Sequence, residues 1–290
     1  MRMKSAVGAI ENTMPGKLLL IGTPIGNLDD LSPRAIEALN RADLILCEDT
    51  RHTRKLLTHF GISRPAESFH EHNEDAKAAR MLDRIEAGET IALVSDAGMP
   101  VVSDPGFKLV RLARERGVDV EPIPGPFAGV LALAASGIPP APFTFFGFAP
   151  HRHGDRADFY RHIAETGHTA IVYESPERVL DSLRDALAIL GDVEASVARE
   201  MTKLHEEHIR GRISEVLAVL ADRDSIRGEI TLVFAAAAKK TQEVSAEEIR
   251  AELDRLRASG LRRNDVVKAI AEKFGMRKND VYRALLGIEN

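Results

Sequence analysis

The feature that most constrains this chain is an apolar run, residues 90–94, that empties into Ser95-Asp96-Ala97-Gly98-Met99-Pro100 and then Val101-Val102-Ser103-Asp104-Pro105-Gly106. A helical pattern starts directly after it, at Phe107. Strand, irregular Gly/Pro loop, helix is the unit from which open α/β proteins build a ligand crevice at the carboxyl ends of their strands. A loop of this kind keeps amides and carboxylates available to a ligand.

The same unit recurs. Residues 17–21 lead into Gly22-Thr23-Pro24-Ile25-Gly26-Asn27, residues 44–47 into Glu48-Asp49-Thr50, and residues 118–123 into Pro124-Gly125-Pro126. Ser32-Pro33 reads as an N-cap followed by proline in the first turn of a helix that reaches Arg41. Further helices are expected over 51–60, 73–87 and 107–116, stopped by Gly61, Gly88 and Gly117. Strands alternating with helices predict a parallel sheet in this half, with the four loops gathered along one edge.

An apolar helix over 128–136 precedes Gly137-Ile138-Pro139-Pro140-Ala141-Pro142, the expected linker. Alternation then resumes, with strands over 143–148, 169–174, 195–199, 206–210 and 229–235 and helices over 155–165, 177–190 and 214–223. The last segment is purely helical, over 245–258, 264–274 and 278–286, broken by Gly260 and Gly275 at the spacing of a small helix-turn-helix unit. The expected fold class is α/β. A disordered extension (1–16) precedes two α/β domains (17–136 and 143–236), and an all-α helix-turn-helix module (245–290) follows.

Composition narrows the function classes. A single Cys, Cys47, excludes a disulfide framework and makes the cytosol the natural compartment. No apolar run reaches the roughly 18 residues of a membrane span. Residues 1–16 contain Arg2 and Lys4 but lack the apolar core of a signal peptide. The net charge of −5 argues against a nucleic-acid binder in bulk, yet residues 255–283 hold nine Lys or Arg against three acids. None of the loops matches G-x-G-x-x-G or G-x-x-x-x-G-K-[ST], which disfavours dinucleotide and NTP sites.

His70-Glu71-His72-Asn73-Glu74 invites a metal reading, since alternate residues of an extended segment face one side. No Cys or third His is near in sequence, and Asn73 is placed to cap the next helix. No metal is expected, and the segment reads as a polar loop facing a substrate or as a solvated helix cap. Tyr173-Glu174-Ser175-Pro176 ends a strand, with Ser175-Pro176 expected to start the following helix. Ala198-Arg199-Glu200-Met201-Thr202-Lys203 ends another, setting cation, anion and cation at a strand exit.

Together these motifs resemble those of the RsmI family, the ribosomal small-subunit RNA ribose-2′-O-methyltransferases of the tetrapyrrole methylase (class III methyltransferase) superfamily. The resemblance runs from about Lys17 to Ala235. It rests on Thr23-Pro24-Ile25-Gly26-Asn27-Leu28, Glu48-Asp49-Thr50-Arg51-His52-Thr53, His70-Glu71-His72-Asn73-Glu74 and Ser95-Asp96-Ala97-Gly98. Asp104-Pro105-Gly106, Pro124-Gly125-Pro126, Tyr173-Glu174-Ser175 and Ala198-Arg199-Glu200 follow in the family's order, and the helical tail resembles the family's C-terminal module. Three positions depart: Met99 stands where Thr is usual, Phe127 where a small residue is common, and Arg227-Gly228-Glu229 replaces Lys-Gly-Glu.

The resemblance implies methyl transfer from S-adenosylmethionine to the ribose 2′-hydroxyl of a decoding-centre cytidine in 16S rRNA, within the 30S subunit. It implies a cytoplasmic homodimer with the cofactor in the cleft between two α/β domains. Cofactor contacts are expected at Pro24, Gly26, Asp96, Gly98, Pro100, Pro124 and Gly125, joined by Glu174. The ribose hydroxyl must lose its proton, and a positioned base contributes typically ~10²–10⁴-fold. Glu200, flanked by Arg199 and Lys203, and the loop carrying Asp49 and His52 are expected to face the ribose. RNA phosphates attract cations. Arg51, Arg54, Lys55, His70 and His72 supply one group with Arg199 and Lys203; Arg262, Arg263, Arg277 and Lys278 of the tail supply another, and His151-Arg152-His153 with Arg156 a further track. Two alternatives stand beside this reading. One is a tetrapyrrole (precorrin) or diphthine-type methyltransferase of the same fold; the other is an S-adenosylmethionine-sensing DNA-binding regulator.

Overall fold

The computed structural model describes residues 16–237, 246–258, 263–274 and 281. The first lobe alternates β1 (Lys17–Ile21), α1 (Pro33–Arg41), β2 (Leu44–Cys47), α2 (Thr50–His59), β3 (Ala66–Ser68), α3 (Glu71–Glu86), β4 (Ile91–Leu93), α4 (Phe107–Glu115) and β5 (Asp119–Ile123). Its sheet has the order β3-β2-β4-β1-β5 and every pairing is parallel. Helices cover both faces, so the central strands are apolar throughout rather than alternating. Leu39, Leu56 and Leu57 of α1 and α2 pack with Ile45 and Ala92 on one face. Met81, Leu82 and Leu109 of α3 and α4 pack with Leu46 and Leu93 on the other.

Local chemistry sets the helix starts. Ser32 Oγ accepts the Ala35 N–H at 3.1 Å, with Pro33 in the first position, as the sequence predicts. At α3 the expectation fails. The helix opens at Glu71 with His70 as the capping position, and Asn73 sits one turn in, its Oδ1 accepting the His70 N–H at 2.9 Å. The His70–His72 segment is therefore not extended, and the one-face argument for its two imidazoles does not apply. β3 was not anticipated; three half-buried residues at a sheet edge are too few to show a period.

The second lobe follows α5 (Ala128–Ser136) with β6 (Phe143–Phe148), α6 (His153–Thr166), β7 (Thr169–Glu174), α7 (Val179–Leu190), β8 (Glu194–Arg199), β9 (Glu207–Arg212), α8 (Ile213–Ala221) and β10 (Ile230–Phe234). Its order is β6-β7-β10-β8-β9; only β6–β7 is parallel. The helix expected to start at Ser175-Pro176 begins at Val179, because a turn intervenes in which Ser175 O accepts the Arg178 N–H at 3.1 Å. One face of this sheet carries α6, α7 and α8 around Tyr160, Leu183 and Val216. The other carries α5, and there Ile25 from the loop after β1 joins Leu133, Ile171, Met201 and Val233 in one apolar cluster. Residues up to Ala237 form one compact unit containing both sheets.

The residues from Ala238 on form a second unit. Its α9 (Ala246–Ala258) and α10 (Arg263–Phe274) close on a core of Ile249, Leu253, Val266 and Ile270. Buried Glu252 accepts from Arg255 at 2.5 Å and from Lys273 at 2.6 Å, which joins the two helices and holds the carboxyl at about 2. The third tail helix expected over 278–286 and the extension over 1–15 lie outside the described residues. No helix among the described residues is long and apolar enough to cross a membrane.

Candidate active site

The four loops meet at the carboxyl edge of the first sheet. Thr23 and Gly98 exchange backbone hydrogen bonds at 2.9 and 3.0 Å, which zips the loop after β1 to the loop after β4. Thr23 Oγ1 donates to Ser95 O at 3.1 Å, and Ser95 Oγ to Gly98 O at 3.2 Å. The Asp49 N–H donates to Asp96 Oδ1 at 3.3 Å, which adds the loop after β2. Gly22 and Gly125 let the ends of β1 and β5 touch: a Cβ on Gly22 would lie 2.6 Å from Gly125 Cα.

A cavity of about 380 Å³ opens between this edge and the second lobe, a volume within the range of small-molecule sites. Ile25, Asp96, Gly98, Met99 and Asp104 line it from the first lobe. Phe127 and Ala128 line it at the junction; Phe148, Tyr173, Glu174, Met201 and Glu229 line it from the second lobe. Pro24, Gly26, Pro100, Pro124 and Gly125 belong to these loops but are not among the residues that line the cavity. Gly26 lies against Thr202 and Lys203, which fixes the first loop to the second lobe.

The cavity carries unusual carboxyls. Burial pushes the Asp104 carboxyl up to about 6; Glu48 and Asp96 add repulsion, and a hydrogen bond from Ser95 only partly offsets them. The loop that presents it holds Val101 and Ser103 at φ of 78° and 66°, strained backbone of the kind that collects at functional sites. Glu174 is buried. Its Oε1 accepts from the Ser175 N–H at 2.8 Å and from Arg178 at 2.7 Å, while Oε2 has no hydrogen-bond partner among the described residues. A buried acceptor left without a donor is costly. Tyr173, whose hydroxyl accepts the Gly129 N–H at 3.2 Å, is pushed up to about 12 by burial.

Other expected site residues are engaged elsewhere. Asp49 caps α2 through the Arg51 N–H at 2.8 Å and pairs with the Arg51 guanidinium at 2.7 Å, which holds its carboxyl at about 2. Glu200 lies outside the cavity wall. It accepts from Lys203 at 2.8 Å and from the Glu229 N–H at 2.9 Å, and the lysine holds it below the usual carboxylate range. Arg199 binds Glu207 at 3.0 Å and the Arg227 and His205 carbonyls, so it braces β8 against β9. Lys203 is spent on Glu200 and, at 3.2 Å, Glu229. Arg51, His52, Arg54 and Lys55 form an exposed face of α2. Glu74 is buried, accepting the Lys108 and Leu109 N–H groups at the start of α4. His70 is half-buried at the cap of α3, whose first turn contains His72. Arg263 opens α10, and Arg262, Arg277 and Lys278 lie outside the described residues.

Asp104, Phe148, Tyr173 and Met201 line the cavity although no site role was expected of them. Signals for three existed, because Asp104, Tyr173 and Met201 sit inside motifs that the sequence singled out. Phe148 had none.

Comparison with known proteins places these features in context. A family model described as Tetrapyrrole (Corrin/Porphyrin) Methylases matches residues 17–217. The ribosomal RNA small subunit methyltransferase I of Halalkalibacterium halodurans is 43% identical over 274 residues, 92% of this chain and 93% of that protein. Its namesake from Escherichia coli O157:H7 is 41% identical over 279 residues, 93% and 95% of the two chains. The Thermotoga maritima protein of the same name is 45% identical over 219 residues, 76% of this chain but 98% of its own. Two solved structures share the fold at low identity. Diphthine synthase has a TM-score of 0.60 at 15% identity, covering 76% of this chain and 90% of that one. Cobalt precorrin-4 methyltransferase has a TM-score of 0.55 at 19% identity, covering 76% and 94%.

Proposed function

The chain belongs to the tetrapyrrole methylases and, within them, to the ribosomal RNA small subunit methyltransferase I family; from that premise we propose that it methylates a ribose 2′-hydroxyl of 16S rRNA, at a decoding-centre cytidine of the 30S subunit, with S-adenosylmethionine as donor. The observation that carries this reading is the cavity between the lobes, with apolar side chains and four carboxyl residues, Asp96, Asp104, Glu174 and Glu229, in its lining. That lining fits an elongated ligand cationic at a sulfonium and an ammonium. The carboxylates oppose its charge, and the orphaned Glu174 Oε2 offers it an acceptor. Asp96 and Gly98 on one side and Glu174 on the other would hold it. When bound, S-adenosylmethionine supplies an activated methyl whose carbon–sulfur electron pair departs with a neutral thioether.

The chain itself must supply alignment and a destination for the hydroxyl proton. Alignment of reacting groups is worth up to about 7–11 kcal/mol, and the loops locked by the Thr23–Gly98 bridge provide a rigid frame for it. We assign the proton to Asp104. A base serves best when its pKa lies near the working pH, and Asp104 at about 6 is ionised at neutrality yet far more basic than Asp49 at about 2. Glu200, held low by Lys203, serves as a brace. The exposed cations Arg51, Arg54 and Lys55 on α2, with the tail, would meet RNA phosphates. A cytoplasmic homodimer belongs to this reading, and the apolar Val130 and Leu131 left exposed on α5 offer it surface.

The test is transfer of labelled methyl from S-adenosylmethionine to 30S subunits that lack ribose methylation, with nuclease mapping of the product. Label on one decoding-centre cytidine ribose is the expected result. No label on 30S subunits or naked 16S rRNA, while the donor still binds, would overturn it.

A further inference from the structure

β6 contains an irregularity whose effect is to aim one side chain. Phe143, Thr144 and Phe145 pair in register with Thr169, Ala170 and Ile171, but the next pairing is Phe148 with Tyr173. Three steps of β6 thus pass two steps of β7, leaving one extra residue. This bulge centres on Gly147, whose φ of 70° suits glycine. In a regular strand Phe145 and Phe148 would point to opposite faces. The bulge returns both to the face of Tyr173.

The outcome is a line of aromatic rings. Phe127 meets Phe145 edge-on at 5.1 Å, Phe145 meets Tyr173 at 4.9 Å, and Tyr173 meets Phe148 at 5.3 Å between centroids. The first three are half-buried, and the Gly129 N–H pins the tyrosine. Phe148 is 60% exposed and lines the cavity, while Phe146, on the opposite face, packs into the lobe core. Phe148 thus presents an exposed phenyl ring at the cavity rim, rigidly backed by other rings.

We propose that Phe148 is the platform on which the base of the target nucleotide stacks while its ribose enters the cavity. This rests on the reading of the chain as an RNA ribose methyltransferase. A ribose that enters a cavity between two lobes draws its nucleotide out of the stack, as enzymes acting on a flipped nucleotide do. Proteins hold such splayed bases on aromatic faces, and that stacking tolerates any base. Phe148 therefore fixes the nucleotide's position without choosing its identity.

The test uses the full chain with F148A, F148L, F148Y and F148W, in single-turnover methyl transfer to 30S subunits lacking ribose methylation. Donor affinity is measured by calorimetry and assembly state by sedimentation. Loss of one stacked base should lower the RNA-side kcat/KM of F148A by about 10- to 100-fold. F148L, which keeps apolar bulk without a π face, should fall with it, and F148Y and F148W should recover most of the rate. Donor affinity and assembly state should not move. Unchanged transfer by F148A or rescue by F148L overturns the platform. A parallel fall in donor affinity would make Phe148 a donor contact, and a changed assembly state would make it an interface residue; either also overturns it. If the wild-type chain fails to methylate 30S subunits, the functional reading itself has failed, and the platform falls with it.

Discussion

Between about pH 4 and pH 6 the folded protein keeps a proton on Asp104 that the unfolded chain releases, because burial raises the carboxyl from 3.8 to about 6. In that window the native state binds more protons than the unfolded one, so this group's contribution to stability falls as pH rises. Above it, folding carries a half-buried carboxylate whose partial desolvation Asn would spare. Asp104→Asn should therefore melt a few degrees higher than the wild type at pH 7.5 and no differently near pH 4, read by thermal scans. Its effect on chemistry has the opposite sign. The wild-type single-turnover rate should climb as pH rises through about 6, whereas D104N should lose that limb and ~10²–10⁴-fold in rate. A D104N rate within a few-fold of wild type would remove Asp104 from the proton path. In the sequence Asp104 stands within a motif, but its raised pKa is hidden, since the burial and the neighbouring Glu48 that cause it come from the folded packing of another strand end. Glu200 and Asp49 read as available carboxylates, yet Lys203 and Arg51, which occupy them, stand within three residues of each. That signal was legible.

At the scale of elements, the short strands β1 and β2 and the Ser32-Pro33 helix start are legible because apolar runs and caps are local. Pairing partners are not local, which is why the mostly antiparallel order of the second sheet was hidden behind the same alternation that marks the parallel first sheet. The His70–Glu74 segment shows how tertiary use overrides a local reading. Glu74 looks like a substrate-facing acid, but its Oε1 takes the Lys108 and Leu109 N–H groups at 2.8 and 3.3 Å and so ties α3 to the start of α4. Glu74→Ala should cost about 1–2 kcal/mol in urea unfolding, the range of a lost helix cap. Glu74→Gln keeps the oxygen and should stay within about 0.5 kcal/mol of wild type, a change typical of substitutions that break no such feature. Methyl transfer by E74Q at saturating substrates should match the wild type. A rate loss without a stability loss would return the segment to the site.

For the whole molecule, chemistry falls in the proposed reading to the unit that ends at Ala237 and added affinity to the unit that follows. Among the described residues, those that line the cavity all precede the division at Ala237, and the tail closes on its own core of Ile249, Leu253, Val266 and Ile270. The Thermotoga maritima relative is matched almost whole over 219 residues, close to the length of the α/β unit by itself. The tail's basic composition overstates the charge it offers a partner, since Arg255 and Lys273 are committed to Glu252. A chain ending at Ala237 should keep the cooperative melt of the α/β unit and bind S-adenosylmethionine as the full chain does. Its affinity for 30S subunits should fall, and the slope of log K against log salt should shrink by roughly 0.7–0.9 for each phosphate contact removed. Filter binding across a salt series reads both numbers. An affinity loss with an unchanged slope would mean that the tail contributes shape rather than charge. Equal losses of RNA and donor binding would mean that it supports the fold of the α/β unit, and the separation of roles at Ala237 would not hold.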